Sequence, residues 1–261
     1  MLESEVRAAL RDLPLGGLRV YRRIGSTNDA ALAWAQEAAP DLALVVTDEQ
    51  TAGRGRAGRW WYTPPGKALA FSLVLRPIPE EVAWASRLAG LGCLAVTDAL
   101  ADFGLEAAIK WPNDVLLGGR KVAGVLAESS WTGDSLNATI LGVGINVLEG
   151  SAPNSGTIFP ATTLESEMGK PPGRVRLLRA CISALLVWRS QLTSDRFWRV
   201  WQSRLAYAGK TVILTAPGRQ DLEAVLIGLE RDGSLLLQTE DGPLHVQAGD
   251  IHLRRTNDRI N

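Results

Sequence analysis

The chain has 261 residues, 46% of them hydrophobic, and carries 28 basic against 28 acidic side chains. That length supports one large domain and a small one around a sizeable core, and the balanced charge removes any global positive field that would recruit nucleic acid or an anionic membrane. The opening MLESEVRAALRDLP has acids where a signal peptide needs a positive start, and no apolar run reaches membrane-spanning length, so a cytoplasmic protein is expected.

A short opening helix leads to LRVYRRI at 18–24, which alternates like a strand, and Ser26 or Thr27 can cap a helix through NDAALAWAQEA. LALVVTDE at 42–49 reads as a buried strand. The run from Gln50 to Ser72 then places Arg54, Arg56 and Arg59 among Gly53, Gly55 and Gly58, directly before Trp60 and Trp61. KALAFSLVLRP at 67–77 returns to strand character, and Pro79 with Glu80 and Glu81 predicts the start of a long helix reaching about Phe103. Residues 108–129 predict strand, turn, strand, a Gly118-Gly119 hairpin and a further strand.

LNATILGVGINV at 136–147 alternates again, with Gly142 and Gly144 thinning one face, and a place at a sheet edge would suit an alternating strand. A loop rich in Gly, Pro, Ser and Asn follows at 149–160. From about Pro172 to Leu205 the pattern is helical, with Leu177, Leu178, Cys181, Leu185, Leu186 and Trp188 forming a core stripe. Composition changes near Tyr207, where short strands separated by Pro-Gly and Asp-Gly turns predict a small all-β unit. The expected class is therefore α+β, with domains at 1–206 and 207–261. Cys93 and Cys181 sit in Ala/Leu-rich helical patterns and read as small core residues. His245 and His252 lack metal-ligand spacing and read as surface or satisfied core residues.

Four segments carry polar residues that core packing would not choose. Ser26-Thr27-Asn28 is a helix cap on capping preference alone, and the same groups can hydrogen-bond a small polar ligand. The Gly/Arg loop lacks the Walker A pattern, so an anion-binding role rests on guanidinium forks and on backbone amides that glycine lets approach phosphate oxygens. Lys110-Trp111-Pro112-Asn113-Asp114, followed by Arg120, Lys121 and Gly124, brings opposite charges to close range. The fourth, Gly142-Val143-Gly144-Ile145-Asn146, is weak by itself because glycines also mark bulges.

Taken in order, STN at 26–28, QTAGRGRAGRWW at 50–61, KWPNDVLLGGRKVAGVLAE at 110–128 and GVGINV at 142–147 resemble the biotin-protein ligases, from about residue 18 through the C-terminal unit. The resemblance implies a mixed β-sheet flanked by helices, similar to class II aminoacyl-tRNA synthetases and biotin/lipoate ligases, with a C-terminal SH3-like β barrel. It implies two steps: biotin and ATP give biotinyl-5'-AMP and pyrophosphate, and a lysine of a biotin carboxyl carrier protein then takes the biotin. Under it, Ser26, Thr27, Asn28 and Gln50 hydrogen-bond the biotin head, and Gly124, Gly142 and Gly144 give it room. Arg54, Gly55 and Arg56 hold the carboxylate and phosphate end, and Lys121 sits on the reacting oxygens. Trp61 lies against adenine, Asn113 and Asp114 organise the adenylate side with Arg59, Lys110 and Asn146, and Arg59 also holds the loop's closed form. Lys121, Arg54 and Asp114 make up the implied catalytic set, Asp114 being one possible acceptor of the incoming lysine's proton beside phosphate or solvent.

Mg²⁺ is expected chiefly on ATP phosphates. Ala57 departs from the pattern, standing where bacterial members often carry a further basic residue. About twenty residues precede Arg22, too few for the winged helix-turn-helix of bifunctional members, so a monofunctional enzyme with no DNA or membrane partner, monomeric or homodimeric, is expected. The rivals are a lipoate-protein ligase, a non-catalytic biotin-sensing regulator and a degenerate scaffold. KWPND, the Gly/Arg loop and the C-terminal unit favour biotin, and the charged motif positions are all retained.

Overall fold

The computed structural model describes the chain apart from residues 134, 154–158, 216, 217, 219, 248–251 and 256–261, and for 252–255 describes the backbone alone. Helix α1 (Glu3–Leu10) buries Val6 and Leu10 against the core. Strand β1 (Gly17–Tyr21) leads to helix α2 (Thr27–Gln36), where the Ser26 hydroxyl accepts from the Asp29 amide and so takes up one of the first turn's free N–H groups. Strands β2 (Ala43–Thr47) and β3 (Ala68–Leu75) are apolar with few exceptions and buried at every position, as strands covered on both faces must be.

The long helix expected from Pro79 is instead broken into three pieces. A single turn α3 (Pro79–Val82) and a 3-10 turn (Ala85–Arg87) precede helix α4 (Leu88–Ala101). Trp84 leaves helical backbone at φ −112°, ψ 16°, and its ring lies 3.8 Å from the Arg87 guanidinium. Arg87 is 1% exposed, so its donors need protein acceptors: it reaches the Leu192 carbonyl at 2.6 Å and, through Nε, the Arg231 carbonyl at 2.7 Å.

Strands β4 (Ala108–Lys110), β5 (Asp114–Leu117), β6 (Arg120–Thr132) and β7 (Ser135–Asn146) follow as expected. Gly118 and Gly119, at φ 53° and 77°, make the left-handed two-residue turn between β5 and β6. Helices α5 (Leu164–Met168), α6 (Arg174–Arg189) and α7 (Asp195–Ser203) complete this part, and α6 carries the expected stripe, with Leu186 only partly buried. Strands β8 (Thr211–Thr215), β9 (Leu222–Leu229), β10 (Leu235–Thr239), β11 (Gly242–Val246) and β12 (His252–Arg255) form a second sheet, antiparallel throughout, in the order β11-β10-β9-β8-β12.

The larger sheet runs β1-β2-β3-β7-β6-β5-β4, with only the β1–β2 pair parallel. The edge position considered for residues 136–147 is therefore wrong. Strand β7 lies at the centre between β3 and β6, and its glycines serve the surface of the sheet rather than an edge. At the β4 edge, Ile109 exchanges backbone hydrogen bonds with Arg204 and Ala206, which blunts the open ladder. Helices α4 and α6 cover one face, over Val125, Leu141, Val143 and Ile145. Each such fully buried side chain stabilises the fold by roughly 1.5–3 kcal/mol. Helix α2 covers only part of the other face, over Val45, Val74 and Ile140, and its N-terminus marks where coverage stops.

The small sheet is fastened to the large unit by indoles. Trp111 Nε1 donates to the Gly233 carbonyl at 3.0 Å and Trp198 Nε1 to the Leu229 carbonyl at 2.8 Å. A side chain at Gly90 or Gly233 would strike the Trp201 ring. Both cysteines are buried and free, matching their reading as core residues. His245 is exposed beside Glu230, whereas the His252 side chain, residues 154–158 of the expected loop and Pro217 of the Pro-Gly turn lie outside the described residues.

Candidate active site

Residues paired directly across adjacent strands project from the same face of a sheet. On the face that α2 leaves open, one row reads Ala70, Gly144, Gly124 and Asp114 across β3, β7, β6 and β5, and the next reads Ser72, Gly142 and Leu126. Three glycines thus form a bare floor beneath a cavity of ≈ 890 Å³. Side chains from elsewhere lie flat on that floor. A Cβ at Gly142 would overlap the Asn28 amide, one at Gly144 would strike the Trp61 indole, and one at Gly124 would come 3.2 Å from the same indole.

At one end the floor meets neutral hydrogen-bonding groups. The Thr27 N–H and hydroxyl both donate to Gln50 Oε1, at 2.8 and 3.1 Å, and Gln50 Nε2 donates to the Thr63 hydroxyl at 2.9 Å. Ser72 Oγ stands 2.8 Å from Thr27 Oγ1 and 2.6 Å from Asn28 Oδ1. Asn28 Nδ2 donates to Glu128 Oε2 at 2.7 Å. Thr27, Asn28, Gln50, Thr63 and Ser72 are buried and bonded to one another or to the partly exposed Glu128, which fixes their orientation before any ligand arrives.

Arg54 is at the rim of this end. Its fork closes on Glu128 at 2.7 and 2.6 Å, and NH2 also meets Asp29 at 2.8 Å. In this pairing two protein carboxylates match the guanidinium geometry.

The other end is cationic. Lys121 Nζ lies 2.5 Å from Asp114 Oδ1, and Lys110 Nζ lies 3.7 Å from Oδ2. Burial opposes the charged form of Asp114, but the ammonium groups, Lys121 foremost, outweigh it and hold the carboxyl below the ordinary range. Such a carboxylate is a weak proton acceptor, which argues against the base role considered for Asp114. Burial pulls the Lys110 ammonium below its usual value, with Asp114 opposing and Lys121 and Arg59 reinforcing. The Lys110 ammonium faces the Phe159 ring at 4.5 Å, and that of Lys121 faces the Trp61 ring at 5.4 Å.

The KWPND turn sets this geometry, with the Trp111–Pro112 peptide bond cis. Asn113 Nδ2 donates to the Val125 carbonyl at 2.6 Å while its Oδ1 accepts from Arg56 at 3.3 Å, so it pegs the turn to β6 and steadies the loop. Lys121 exchanges backbone bonds with Pro160 and Thr162, and Asn146 Nδ2 donates to the Thr162 carbonyl at 3.1 Å.

The Gly/Arg loop folds over the floor as a narrow hairpin. Gly55 N–H donates to the Arg59 carbonyl at 2.7 Å, and Trp61 N–H to the Gly53 carbonyl at 2.9 Å. Arg59 Nε donates to the Arg56 carbonyl at 3.1 Å, a contact within the loop itself. Ala57 adopts the left-handed region at φ 55°, which costs a residue with a Cβ roughly 1–2 kcal/mol.

All the site residues expected from the sequence, from Ser26 to Asn146, line this one cavity. Sequence reasoning did not single out Ser72, Thr63, Phe159 or Glu128. For two of them a signal existed: Ser72 is the one hydroxyl in the apolar strand ALAFSLVL, and Glu128 is a charge closing the apolar run VAGVLAE. Among the described residues, no group of three or more His, Cys, Asp or Glu side chains could hold a metal ion, and no helix is long and apolar enough to cross a membrane.

Residues 20–146 match the Biotin/lipoate A/B protein ligase family, and residues 207–254 match the Biotin protein ligase C terminal domain. Among similar proteins, a biotin--[acetyl-CoA-carboxylase] ligase of Paracoccus denitrificans is 36% identical over 88% of this chain and 97% of its own. One of Mycobacterium tuberculosis is 34% identical over 94% and 95%. The solved biotin protein ligase from Aquifex aeolicus in complex with biotin and ATP superposes with a TM-score of 0.77 at 29% identity, covering 92% of this chain and 99% of that one.

Proposed function

The chain belongs to the biotin/lipoate A/B protein ligase family, on its biotin protein ligase branch, and from that premise we propose how its own residues perform the reaction. It is an ATP-dependent ligase that activates biotin as biotinyl-5'-AMP and transfers it to an acceptor protein. The observation that carries the assignment of roles is the polarity of the glycine-floored cleft, neutral hydrogen-bonding groups at one end and lysines at the other.

Biotin's uncharged ring end belongs with Ser26, Thr27, Asn28 and Gln50, over Gly142. Its carboxylate then points toward Lys121, where a carboxylate oxygen attacks the α-phosphorus of ATP and the bond to pyrophosphate breaks. Two anions repel as they approach, and Lys121, Arg56 and Lys110 offset that repulsion; one well-placed donor typically contributes ~3 kcal/mol to the transition state. Trp61 and Asn146 border the nucleotide, and the Gly/Arg loop keeps water from the mixed anhydride. In the second step the acceptor lysine's nitrogen attacks the acyl carbon and the bond to AMP breaks. The ammonium proton leaves to phosphate or water, since Asp114 is already held by two lysines.

The acceptor in this reading is a biotin carboxyl carrier protein and the compartment is the cytoplasm. Residues 1–206 act as the catalytic domain and 207–261 as the C-terminal domain. The donor set does not fit a dedicated metal site, because the cleft's Asp114 is neutralised by lysines; Mg²⁺ would travel on the ATP phosphates.

Biotin-dependent exchange of labelled pyrophosphate into ATP tests the reading. Exchange is expected with biotin and is expected to collapse in Lys121→Ala. Exchange with lipoate in place of biotin would overturn it.

A further inference from the structure

Glu128 lies outside the roles assigned so far, yet it touches both halves of the ligand-binding apparatus. Its Oε2 accepts from Asn28 at 2.7 Å, and Asn28 lies on the floor at Gly142. The same carboxylate takes the Arg54 fork on both oxygens. Arg54 in turn forms an antiparallel bridge with Trp60, and the neighbouring Gly53 carbonyl accepts from the Trp61 N–H. A continuous chain of contacts therefore runs from β6 through Arg54 to the indole that lies on Gly144.

Glu128 stands on β6 opposite Ile140 and one pleat beyond Leu126, so the rigid sheet fixes where its carboxylate sits. The Gly/Arg loop is bonded to the rest of the protein at its base, where Thr51 and Ala52 donate to the Ile24 and Gly25 carbonyls, and at its tip, where Arg56 reaches Asn113 at 3.3 Å. Its hydrogen bonds at Gly55, Arg59 and Trp61 are internal to the hairpin, and the two-pronged Arg54–Glu128 pair is its charged attachment to the floor strand β6. Arg54 also meets Asp29 in the first turn of α2, so three elements converge on one guanidinium.

We propose that Glu128 is a positioning residue that clasps the Gly/Arg loop through Arg54 while orienting Asn28, so that the biotin end of the cleft and the lid over the adenylate are held by one carboxylate. This inference rests on the reading of the cleft as the site of biotinyl-5'-AMP. Arg54 acts in it as the tether of the lid, with Lys121 and Arg56 left to meet the anion.

The test is the release rate of biotinyl-5'-AMP formed on the full-length enzyme, measured by rapid filtration for the wild type, Glu128→Gln, Glu128→Ala, Arg54→Ala and the double alanine variant. Release is expected to quicken at least fivefold in Glu128→Ala and less in Glu128→Gln, whose amide oxygen still accepts from Asn28. The double variant should release no faster than the quicker single one, because both substitutions break one clasp. Added salt should quicken release from the wild type more than from Glu128→Ala, which keeps only the Arg54–Asp29 pair, since both partners of the Glu128 pair are partly exposed. If Glu128→Ala does not fold, the Glu128→Gln rate and its salt response carry the test. Equal release from wild type and Glu128 variants, or multiplied effects in the double variant, would overturn the proposal. Failure of the wild type to form the adenylate would overturn the functional reading instead.

Discussion

Lys121 stands 2.5 Å from Asp114, on the sheet row that also holds Gly124 and Gly144. The ammonium is thus held by a carboxylate that Lys110 shares. Replacing Asp114 by Asn would strand two cations in a mostly buried place, and breaking such a buried pair costs about 3–5 kcal/mol. Lys121→Ala removes the reacting-end cation while leaving Lys110 to satisfy Asp114. Denaturant unfolding should show Asp114→Asn as the less stable protein, whereas pyrophosphate exchange should fall ~100-fold in Lys121→Ala, matching ~3 kcal/mol of lost transition-state stabilisation. Comparable stability in the two variants would contradict the shared-carboxylate geometry.

The same cluster fixes a pH dependence. Asp114 titrates below its unfolded value, because the lysine charges outweigh the opposing effect of burial, so its stabilisation is full above the ordinary carboxylate range and is lost as pH falls through the native value. Lys110 has the opposite sense. Burial lowers its native value, so the cost of its charge is present at neutral pH and is relieved as pH rises through that value. The stability gap between wild type and Asp114→Asn should hold from pH 8 to 5 and narrow only below ~4, the ordinary carboxylate range. A gap that closes near pH 6 would show that Asp114 is not held in its charged form.

Gly144 is a position where the floor leaves no room for a side chain. A methyl group there would collide with the Trp61 indole, and overpacking of this kind costs typically 1–3 kcal/mol. Because the indole belongs to a loop, the expected outcome of Gly144→Ala is a displaced loop in a folded protein. The KM for biotin should rise at least tenfold while the unfolding midpoint moves by a few degrees; an unchanged KM would show that the indole yields without consequence.

Ser72 presents one hydroxyl between Thr27 Oγ1 and Asn28 Oδ1. Ser72→Ala removes that donor and leaves the buried Asn28 Oδ1 unmatched, a loss of about 1–3 kcal/mol. It should appear mainly in the KM for biotin, with kcat for exchange within a factor of about three. A selective fall in kcat would place Ser72 in the chemistry instead.

The thiols offer a simple control. Burial raises Cys93 and pushes Cys181 up to about 12. Neither should be alkylated at pH 8 in the native protein, and both should react after denaturation, as mass spectrometry can count. Rapid native alkylation would mean that the α4 and α6 packing opens readily.

Much of the cleft was legible because its chemistry is written in short ordered segments. Gly142 and Gly144 announce a thinned strand, and Lys110, Asp114 and Lys121 announce a charge cluster. What stayed hidden depends on partners distant in sequence. Ser72 gains its meaning from Thr27 and Asn28, and Glu128 from Arg54. The break before α4 follows from carbonyls at Leu192 and Arg231 that draw Arg87 inward, and no local propensity encodes it. The central place of β7 is likewise a matter of topology, since an alternating pattern describes a strand's two faces and not its neighbours.

The bond from Trp111 to the Gly233 carbonyl has a consequence for any attempt to shorten this enzyme. The indole occupies the turn between Lys110 and Asp114, so the distant β9–β10 connection acts as the anvil against which that turn is set. A truncation after residue 206 would uncover a large aromatic ring and release the turn together. Fragments designed for tagging or crystallisation would lose catalytic alignment first and solubility soon after, even with every cleft residue retained.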